Sequence, residues 1–496
     1  MKISLRDKIL QSTKNLAKKY SKLEIKDLLE TSRLEKFKVT TEYLSLDYSK
    51  QRLNEEILGH LLEIPDEINL SQSIDDVSSG NFVNSTEERL VSHMLYRSSD
   101  NLTNNSGLRD IHKQKEKLKN FVDNFISKFK DIETVISIGI GGSRLGPELL
   151  SEVNNTTVGL NILYCSSYDL VELENVLAQQ NPYKTLIVIS SKSFTTPEVL
   201  SNANKAKDWL NNSIGDQSHL NLLGISSNTE AMDNFGILKE NQFEILDTLG
   251  GRYSIWSSIS LPAILDIGWS KYEEFLEGAY LADKHFTSSS WRENIPVLMA
   301  LMSYWNTNGL AINNLGIFSY DYKIRSLTKY LSQMGMESNG KSYSSEGEKT
   351  TSYNCPLIWG GYGPDAQHSV FQWLLQGSDF TSCDFIGSTN TRKSTESYQM
   401  LLAQITALSL GEDHKEFKYK SVNGNNPINL LKLNKIDAKS IGFLLACYEN
   451  KVFVESQIYD INPFDQWGVQ LGKKLTIKSS QDGNFMDKYF NKDFLL

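Results

Sequence analysis

The length, composition and charge of the chain exclude several classes of protein. Its 496 residues, 40% hydrophobic and 22% charged, are typical of a globular protein of roughly two or three domains, and they exclude a disordered or fibrous chain. Acidic residues outnumber basic ones by 60 to 51, and the net charge of −9 argues against an extended nucleic-acid-binding surface.

The cysteines and the apolar runs predict a cytoplasmic location. The four cysteines are widely spaced without a CxxC pair, which predicts free thiols rather than a zinc site or a disulfide framework. The N-terminus lacks the apolar run of a signal peptide. The best apolar run, residues 295–302, has less than half of the roughly 20 residues that cross a bilayer. We therefore expect a cytoplasmic protein without membrane contact.

A series of short apolar runs predicts a first α/β domain. Residues 1–104 are predicted to form a helical segment ahead of it. Apolar runs bounded by turn residues then follow at residues 134–140, 160–165, 184–190 and 220–226. Strands rich in Val, Ile and Leu that alternate with helical segments indicate a parallel sheet with helices on both faces. We place this domain at residues 105–270.

Three further apolar runs predict a second domain of the same kind. They lie at residues 314–320, 355–360 and 382–387, again with helical segments between them. We place the second α/β domain at residues 271–436. The remaining residues, 437–496, are predicted to form a C-terminal helical segment.

The stretch VISIGIGGSRLGPELL, residues 135–150, predicts a strand, a glycine turn and a helix. Glycines at the carboxyl end of a parallel strand let backbone N–H groups approach an anion, and the helix N-terminus adds partial positive charge. The dinucleotide pattern GxGxxG would need a glycine where Arg144 stands, and the phosphate-loop ending GK[ST] is absent. A ligand-binding turn and a purely structural turn are equally good interpretations of this stretch.

The hydroxyl-rich stretch SSKSFTTPEV, residues 190–199, directly follows a predicted strand. Its hydroxyls and Lys192 suit a dianion, and a helix that starts at Pro197 would point N–H groups at the same ligand. The competing interpretation is that Thr196 only caps that helix.

Two charged residues stand at positions where they could take part in chemistry. Arg252 follows two glycines, and its guanidinium can hold a carboxylate, a phosphate or a developing oxyanion, although a lone Arg more often forms an ion pair. Glu337 follows an amphipathic helix that is predicted to end near Gly335. There it is a candidate base, although an isolated Glu is usually just solvated.

A histidine after a glycine-rich loop is a third candidate for acid–base chemistry. His368 is predicted near the start of an amphipathic helix, and its alternative role is capping or packing.

The C-terminal stretch INPFDQWGVQLGKKL supplies a candidate lysine. Pro463 predicts a helix start, which would put Gln466 and Lys473 on one helix face. Lys473 is a candidate nucleophile, acid or charge stabiliser, and alternatively a surface lysine. The residues predicted to pack are Phe464, Trp467, Val469 and Leu471.

Taken in order, these stretches resemble the glucose-6-phosphate isomerase (phosphoglucose isomerase) family. The family patterns GIGGSxLGP, SKTFTTxE, GGRYSxWS, MESNGK, GxxQH and FDQWGVxLGK are matched here by GIGGSRLGP, SKSFTTPE, GGRYSIWS, MESNGK, GPDAQH and FDQWGVQLGK. A further match, NSTEERLVSHMLYR at residues 84–97, extends the resemblance over nearly the whole chain. The departures are Ser193 in place of the usual Thr, GPDAQH in place of the commoner GTNGQH, Leu375 where many members have His, and Arg144 where an acidic or aromatic residue is more usual.

The resemblance implies a fold, an activity and an assembly. The fold would be α/β, with two sugar-isomerase (SIS) αβα sandwich domains of flavodoxin-like parallel sheets, plus the helical N- and C-terminal segments. The activity would be interconversion of glucose 6-phosphate and fructose 6-phosphate without metal or organic cofactor. The protein would be a homodimer.

The resemblance also implies roles for individual residues. His368, donated by the neighbouring subunit, and Lys473 would assist ring opening. Glu337 would move a proton between carbons 2 and 1, and Arg252 would stabilise the enediolate. The residues implied to contact the phosphate or the sugar, or to orient the site, are Gly142, Ser143, Ser191, Lys192, Ser193, Thr196, Gln333, Gln466 and, as the orienting carboxylate, Glu198.

Three other hypotheses compete with the isomerase. A wider substrate range that includes mannose 6-phosphate is known for relatives that are shorter and more divergent than this chain. A catalytically silent sugar-phosphate-binding regulator would not require the base Glu337. A nicotinamide-dependent dehydrogenase is disfavoured by Arg144, which breaks the dinucleotide pattern.

Overall fold

Helices and strands alternate through most of the chain in the computed structural model, which describes residues 4–99, 106–153, 157–390, 392–482, 484–491 and 494. The strands are β1 (Lys38–Thr40), β2 (Leu44–Lys50), β3 (Val83–Asn84), β4 (Arg89–Leu90), β5 (Thr134–Gly139), β6 (Asn161–Cys165), β7 (Thr185–Ser190), β8 (Leu222–Ser226), β9 (Gln242–Glu244), β10 (Asn314–Ser319), β11 (Leu357–Tyr362), β12 (Ser382–Ser388) and β13 (Ile428–Leu433).

The α-helices are α1 (Leu5–Lys19), α2 (Ile25–Leu28), α3 (Thr31–Lys36), α4 (Glu55–Glu67), α5 (Leu70–Ser79), α6 (His93–Arg97), α7 (Ser106–Lys128), α8 (Gly142–Val153), α9 (Val171–Leu177), α10 (Pro197–Ile214), α11 (Thr229–Phe235), α12 (Leu261–Ile267), α13 (Trp269–Ser288), α14 (Ile295–Tyr304), α15 (Leu327–Asn339), α16 (Gly363–Gln367), α17 (Phe371–Gln376), α18 (Arg392–Leu410), α19 (Ala438–Tyr459) and α20 (Gln470–Gln481). No helix among the described residues is long and apolar enough to cross a membrane.

The first sheet is parallel throughout, with the strand order β6-β5-β7-β8-β9. Every residue of its central strands β5 and β7 is buried, which explains why these strands are continuous apolar runs in the sequence. The four strands expected from the sequence are all present. The short edge strand β9 was not expected.

The second sheet contains strands from both ends of the chain, in the order β1-β2-β13-β12-β10-β11. Strands β10 to β13 are parallel, whereas β2 pairs antiparallel with both β13 and β1. The N-terminal segment, which the sequence predicts to be helical, also contributes the strands β1 and β2 to this sheet. The alternation of Leu44, Leu46 and Tyr48 along β2 buries one face of the strand, which is the pattern of a strand rather than a helix. The domain boundaries drawn from the sequence stay a prediction.

Helix α19 lies in the core, although the sequence assigns it to a terminal segment. It packs against α13 through two glycines, since a Cβ on Gly278 would lie 1.9 Å from the carbonyl oxygen of Lys439, and one on Gly442 would lie 2.0 Å from that of Phe275. Only glycine permits such close approach of two helix backbones. Helix α15, which carries Glu337, also contacts α19, so the core supports one side of the candidate site.

Beyond Phe464 the chain leaves this core. Phe464 is buried as predicted. Trp467, Val469 and Leu471, which were also predicted to pack, are 56%, 49% and 63% exposed in the single chain. These three side chains precede or begin helix α20, and that helix presents further exposed apolar surface at Ile477.

Candidate active site

Two helix N-termini meet at one edge of the first sheet. Helix α8 begins at Gly142, shortly after β5, and helix α10 begins at Pro197, a short loop after β7. Strands β5 and β7 are parallel neighbours, with Gly139 opposite Ser190. The glycine turn and the hydroxyl-rich loop therefore lie side by side at the carboxyl ends of the strands, where α/β sheets bind anions.

The hydroxyl of Thr196 does not cap α10. Thr196 occupies the N-cap position and Pro197 the first helical position, as predicted, but the Thr196 side chain makes no capping hydrogen bond. Its Oγ1 instead lies 3.2 Å from Ser191 Oγ. The side chain of Ser193 accepts hydrogen bonds from the N–H and the hydroxyl of Thr195. Two hydroxyls thus converge beside a helix N-terminus whose first N–H groups stay unused by side-chain capping.

Lys192 is the cation of this loop. Its Nζ donates to the backbone carbonyls of Asp247, at 2.7 Å, and Leu249, at 2.9 Å. Burial, reinforced by the positive charge of Arg89, lowers the pKa of Lys192 to about 8. A pKa of about 8 lies well below the ordinary value for a lysine.

The glycine turn packs directly on the segment that carries Arg252. A Cβ on Gly142 would lie 2.0 Å from the carbonyl oxygen of Gly251, and one on Gly141 would lie 2.7 Å from Gln333 Nε2. Gly141 also has a φ of +59°, which favours glycine. The glycines therefore bring the anion edge, Arg252 and helix α15 into contact.

Arg252 is the hub of the site, with a buried side chain. Its Nε donates to Ser338 Oγ at 2.7 Å, and its Nη1 donates to Gln466 Oε1 at 2.7 Å. Its Nη2 donates to the backbone carbonyls of Pro463 and Asp465. The fork geometry of the guanidinium is thus fixed by two segments that are distant in sequence.

Glu337 lies in the last turn of α15, so the prediction that this helix ends near Gly335 is wrong. The helix continues to Asn339 because Ser338 and Asn339 are buried, and the Asn339 side chain donates to the carbonyl of Val452 at 3.0 Å. The Glu337 carboxylate accepts from Gln333 Nε2 at 3.1 Å and lies 3.4 Å from Arg252 Nη1. Its side chain is 34% exposed and lines a cleft of about 500 Å³.

The segment after α19 differs from its prediction. Pro463 does not start a helix, and α20 begins only at Gln470. Gln466 has a non-helical backbone, with a φ of −152°, and lies outside that helix, so the prediction that it shares a helix face with Lys473 is wrong. The physical reason is that the Pro463 carbonyl and the Gln466 side chain both accept hydrogen bonds from Arg252.

His368 and Lys473 lie on the surface of the single chain. The His368 N–H donates to the carbonyl of Asp365 where the short helix α16 ends, and helix α17 begins three residues later, at Phe371. Lys473 is exposed on α20. Within the described part of the chain, neither side chain is bonded to Arg252 or Glu337. Glu198 lies in the first turn of α10, and its role stays a prediction.

The structure explains Arg144, for which the sequence alone offered no reason. Arg144 forms ion pairs with Glu148, at 3.1 Å, and Glu172, at 3.2 Å, and it also donates to Ser166. Glu172 in turn accepts from the N–H groups of Ser166 and Ser167. Arg144 therefore links α8 to the loop after β6 and to Glu172. These contacts explain why a positively charged side chain stands at this position.

Four residues at the site were missed by the sequence analysis. They are Thr86, Ser338, Lys341 and Asp465, of which Ser338 binds Arg252 and the other three line the cleft. All four lie inside or directly beside the matched motifs, and this position in the sequence was the signal that could have identified them as site residues. Among the described residues, no three His, Cys, Asp or Glu side chains cluster as a metal site would require.

Comparison with known proteins assigns the family. The sequence model described as phosphoglucose isomerase matches residues 47–491. A glucose-6-phosphate isomerase of Acinetobacter baylyi is 37% identical to the chain, over 94% of this chain and 91% of that protein. One of Helicobacter pylori is 36% identical, over 93% of this chain and 92% of that protein.

The chain belongs to the phosphoglucose isomerase family. The crystal structure of a glucose-6-phosphate isomerase from Chlamydia trachomatis superposes with a TM-score of 0.89 at 28% identity, and the match covers 98% of this chain and 96% of that one. Both the family resemblance and the α/β fold class expected from the sequence are therefore confirmed. A Thermus thermophilus protein with a TM-score of 0.63 and 19% identity shares the fold.

Proposed function

We propose that this member of the phosphoglucose isomerase family interconverts glucose 6-phosphate and fructose 6-phosphate. The observation that carries the proposal is the position of the Glu337 carboxylate beside the Arg252 guanidinium, with the glycine turn ahead of α8 packed against Gly251 and Gln333. Aldose–ketose isomerisation needs a base next to a carbonyl and a group that stabilises the negative oxygen that then develops. A phosphate-binding edge next to these two groups suits a sugar phosphate.

The anion edge is proposed to hold the substrate phosphate. Helices α8 and α10 both start at this edge, where helix N-termini favour anions, and the converging hydroxyls of Ser191 and Thr196 add donors. Lys192 adds positive charge. The residues proposed to contact the phosphate are Gly142, Ser143, Ser191, Lys192, Ser193 and Thr196. Anchoring a remote phosphate lets binding energy orient the reacting carbons.

Glu337 is proposed to carry the proton between carbons 1 and 2. The carboxylate removes a proton from the carbon beside the open-chain carbonyl, and the electron pair moves onto the carbonyl oxygen to give an enediolate. The proton then returns to the former carbonyl carbon, while the hydroxyl on the other carbon loses its proton to become the new carbonyl and the former carbonyl oxygen takes up a proton. The 3.4 Å contact with Arg252 is longer than an ordinary N–H···O bond, which supports a base that is not locked in an ion pair.

Arg252 is proposed to stabilise the enediolate, with two glutamines beside it. Gln466 binds Arg252 directly, and Gln333 binds the Glu337 carboxylate. Gln333 Oε1 is buried and has no hydrogen-bond partner among the described residues. A buried acceptor of this kind normally has a partner, and a substrate hydroxyl would supply one.

Assembly of a homodimer is proposed to complete the site. Among the described residues, His368 is exposed and makes no hydrogen bond to Glu337, which supports donation of His368 to the site of a second copy. The exposed apolar side chains of Trp467, Val469 and Leu471 support burial of this segment against a partner. His368 and Lys473 would then move protons at the ring oxygen and the anomeric hydroxyl during ring opening.

The proposal includes a cytoplasmic enzyme that acts without a cofactor. All four cysteines are free thiols, as expected of a reducing compartment. The proposed proton transfer is completed by side chains of the protein and the substrate itself.

A coupled assay tests the proposed function. The purified chain would be given fructose 6-phosphate with a metal chelator present, and glucose 6-phosphate formation would be followed through a dehydrogenase. Turnover with the chelator present would support the metal-free isomerase. A chain that binds the sugar phosphate without turning it over would instead be the catalytically silent regulator, and loss of turnover on chelation would overturn the metal-free mechanism.

A further inference from the structure

A buried ion pair lies at the back of the cleft, where no role has yet been assigned to it. Lys341 Nζ lies 2.9 Å from Asp465 Oδ1, and the two side chains are only 18% and 6% exposed. Lys341 stands two residues beyond the end of α15, the helix that carries Glu337. Asp465 stands directly before Gln466. The pair therefore joins the two segments that bring Glu337 and Gln466 to the cleft.

The segment around Asp465 has little regular structure of its own. Helix α19 ends at Tyr459, and the next helical turn begins only at Trp467. Besides the buried side chains of Ile461 and Phe464, side-chain hydrogen bonds help to keep the backbone of residues 460–466 in one conformation.

Those bonds converge on Asp465 and its neighbour Asn462. The Asp465 carboxylate accepts from Thr86 Oγ1 and from Asn462 Nδ2, at 3.0 Å, besides its ion pair with Lys341. The Lys341 ammonium also donates to the backbone carbonyl of Asn462. Asn462 Nδ2 binds Asn84 Oδ1 at 2.7 Å, and Asn462 Oδ1 accepts from the Phe464 N–H at 3.0 Å. Lys341 is the cation of this network, and it binds residues 460–466 at two points, the Asp465 carboxylate and the Asn462 carbonyl.

The same segment fixes Arg252. Two of the acceptors of the Arg252 guanidinium are the backbone carbonyls of Pro463 and Asp465, and a third is the Gln466 side chain. These bonds hold the guanidinium only while the backbone of residues 463–466 keeps its conformation. A displacement of this backbone would move the Arg252 charge relative to Glu337.

We propose that Lys341 and Asp465 are positioning residues of the active site: their buried ion pair holds the 462–466 segment so that Arg252 and Gln466 face Glu337. The effect on catalysis rests on the proposed isomerase function, whereas the effect on the backbone does not. Removing one partner of a buried ion pair leaves an uncompensated charge, so the segment loses its anchor. Because the phosphate edge belongs to other elements, substrate binding should change less than turnover.

Lys341→Met tests this proposal, with hydrogen exchange of the backbone amides as the first readout. We expect exchange in residues 461–466 to accelerate by about tenfold or more, while exchange in strands β5 and β7 stays unchanged. We expect kcat to fall by about tenfold or more with KM within about threefold. Lys341→Arg keeps the charge and should restore most of both properties. Lys349→Met, an exposed lysine in the following loop, is the matched control and should behave as wild type.

A double-mutant cycle separates positioning from a direct contact with substrate. Asp465→Asn keeps the hydrogen-bonding shape of Asp465 and removes the ion pair, and it serves alone if Lys341→Met does not fold. Because the pair acts as a unit, the double variant should lose no more kcat than the worse single variant. Losses that multiply would overturn the proposal, and so would unchanged exchange in residues 461–466. If wild type proves inactive as an isomerase, the proposed function fails, but the exchange comparison still tests the positioning role.

Discussion

The guanidinium of Arg252 lies 3.4 Å from the carboxylate of Glu337, while four shorter bonds fix it to Ser338, Pro463, Asp465 and Gln466. Arg252 therefore keeps its position without Glu337. This arrangement separates the two chemical roles, since the carboxylate can gain and lose a proton without releasing the cation. It is a geometry suited to a charge that develops on the substrate between proton transfers.

Glu337→Gln should abolish most turnover and leave binding intact. The amide preserves the shape of the side chain and removes the base, so we expect kcat to fall by roughly 100-fold or more, the range of general base catalysis. The affinity for fructose 6-phosphate, measured by calorimetry, should stay close to that of wild type. Glu348→Gln, an exposed glutamate, is the control. Unchanged kcat in the Glu337 variant would remove Glu337 from the mechanism.

Anion binding should weaken as the pH rises through the pKa of Lys192. Burial lowers this pKa to about 8, with Arg89 lowering it and Asp247 and Glu87 opposing the shift, so the cation is present below pH 8 and lost above it. Sulfate keeps its charge throughout this range. Its inhibition constant should therefore increase by about tenfold between pH 7 and pH 9, by linkage of binding to one proton.

Lys192→Arg supplies the comparison for that titration. Arginine stays charged across the whole range, so its sulfate inhibition constant should be flat between pH 7 and pH 9. The same slope in both proteins would assign the titration to another group.

Mixing two inactive variants tests whether His368 acts across a dimer interface. His368→Ala and Glu337→Gln are each expected to be inactive alone. In a mixed dimer, the site that combines Glu337 of one subunit with His368 of the other is intact. Unfolding and refolding the two together should therefore restore about a quarter of wild-type activity, since half of the dimers are mixed and each has one working site. Activity that stays absent although mixed dimers form would place His368 in its own subunit's site.

Gly142→Ala should damage both stability and activity. Its Cβ would lie 2.0 Å from the Gly251 carbonyl, so the backbone ahead of Arg252 must move, at a cost of about 1–3 kcal/mol. We expect a lower midpoint of thermal unfolding and a lower kcat/KM. Gly59→Ala is the control, and we expect it to change the stability in the opposite direction. It lies in α4 with nothing within 4 Å of the new Cβ, and it should be stabilised by about 0.5–1 kcal/mol. Wild-type stability and activity in the Gly142→Ala variant would show that the contact is not tight.

The local sequence pattern was enough to predict the parallel strands and the grouping of the motifs. Every residue of β5 and β7 is buried, so each strand shows up in the sequence as a run of mostly apolar residues. It was not enough where a distant partner determines the conformation. Pro463 looked like a helix start, but its carbonyl is bound by Arg252, and that contact cannot be read from neighbouring residues. Strand β2 does carry a local signal, the alternation of Leu44, Leu46 and Tyr48, but its pairing with β13 near the other end of the chain cannot be read from neighbouring residues.

The antiparallel pairing of β2 with β13 also sets an order of events during synthesis. A ribosome releases residues 44–50 early, yet their partner strand, residues 428–433, emerges among the last parts of the chain. The first sheet, within residues 134–244, can close long before that. Until β13 arrives, the apolar face of Leu44, Leu46 and Tyr48 lacks the strand that aligns it, and an unpaired strand edge is prone to aggregation. The β2 edge therefore stays without its β13 partner until most of the 496 residues have been made.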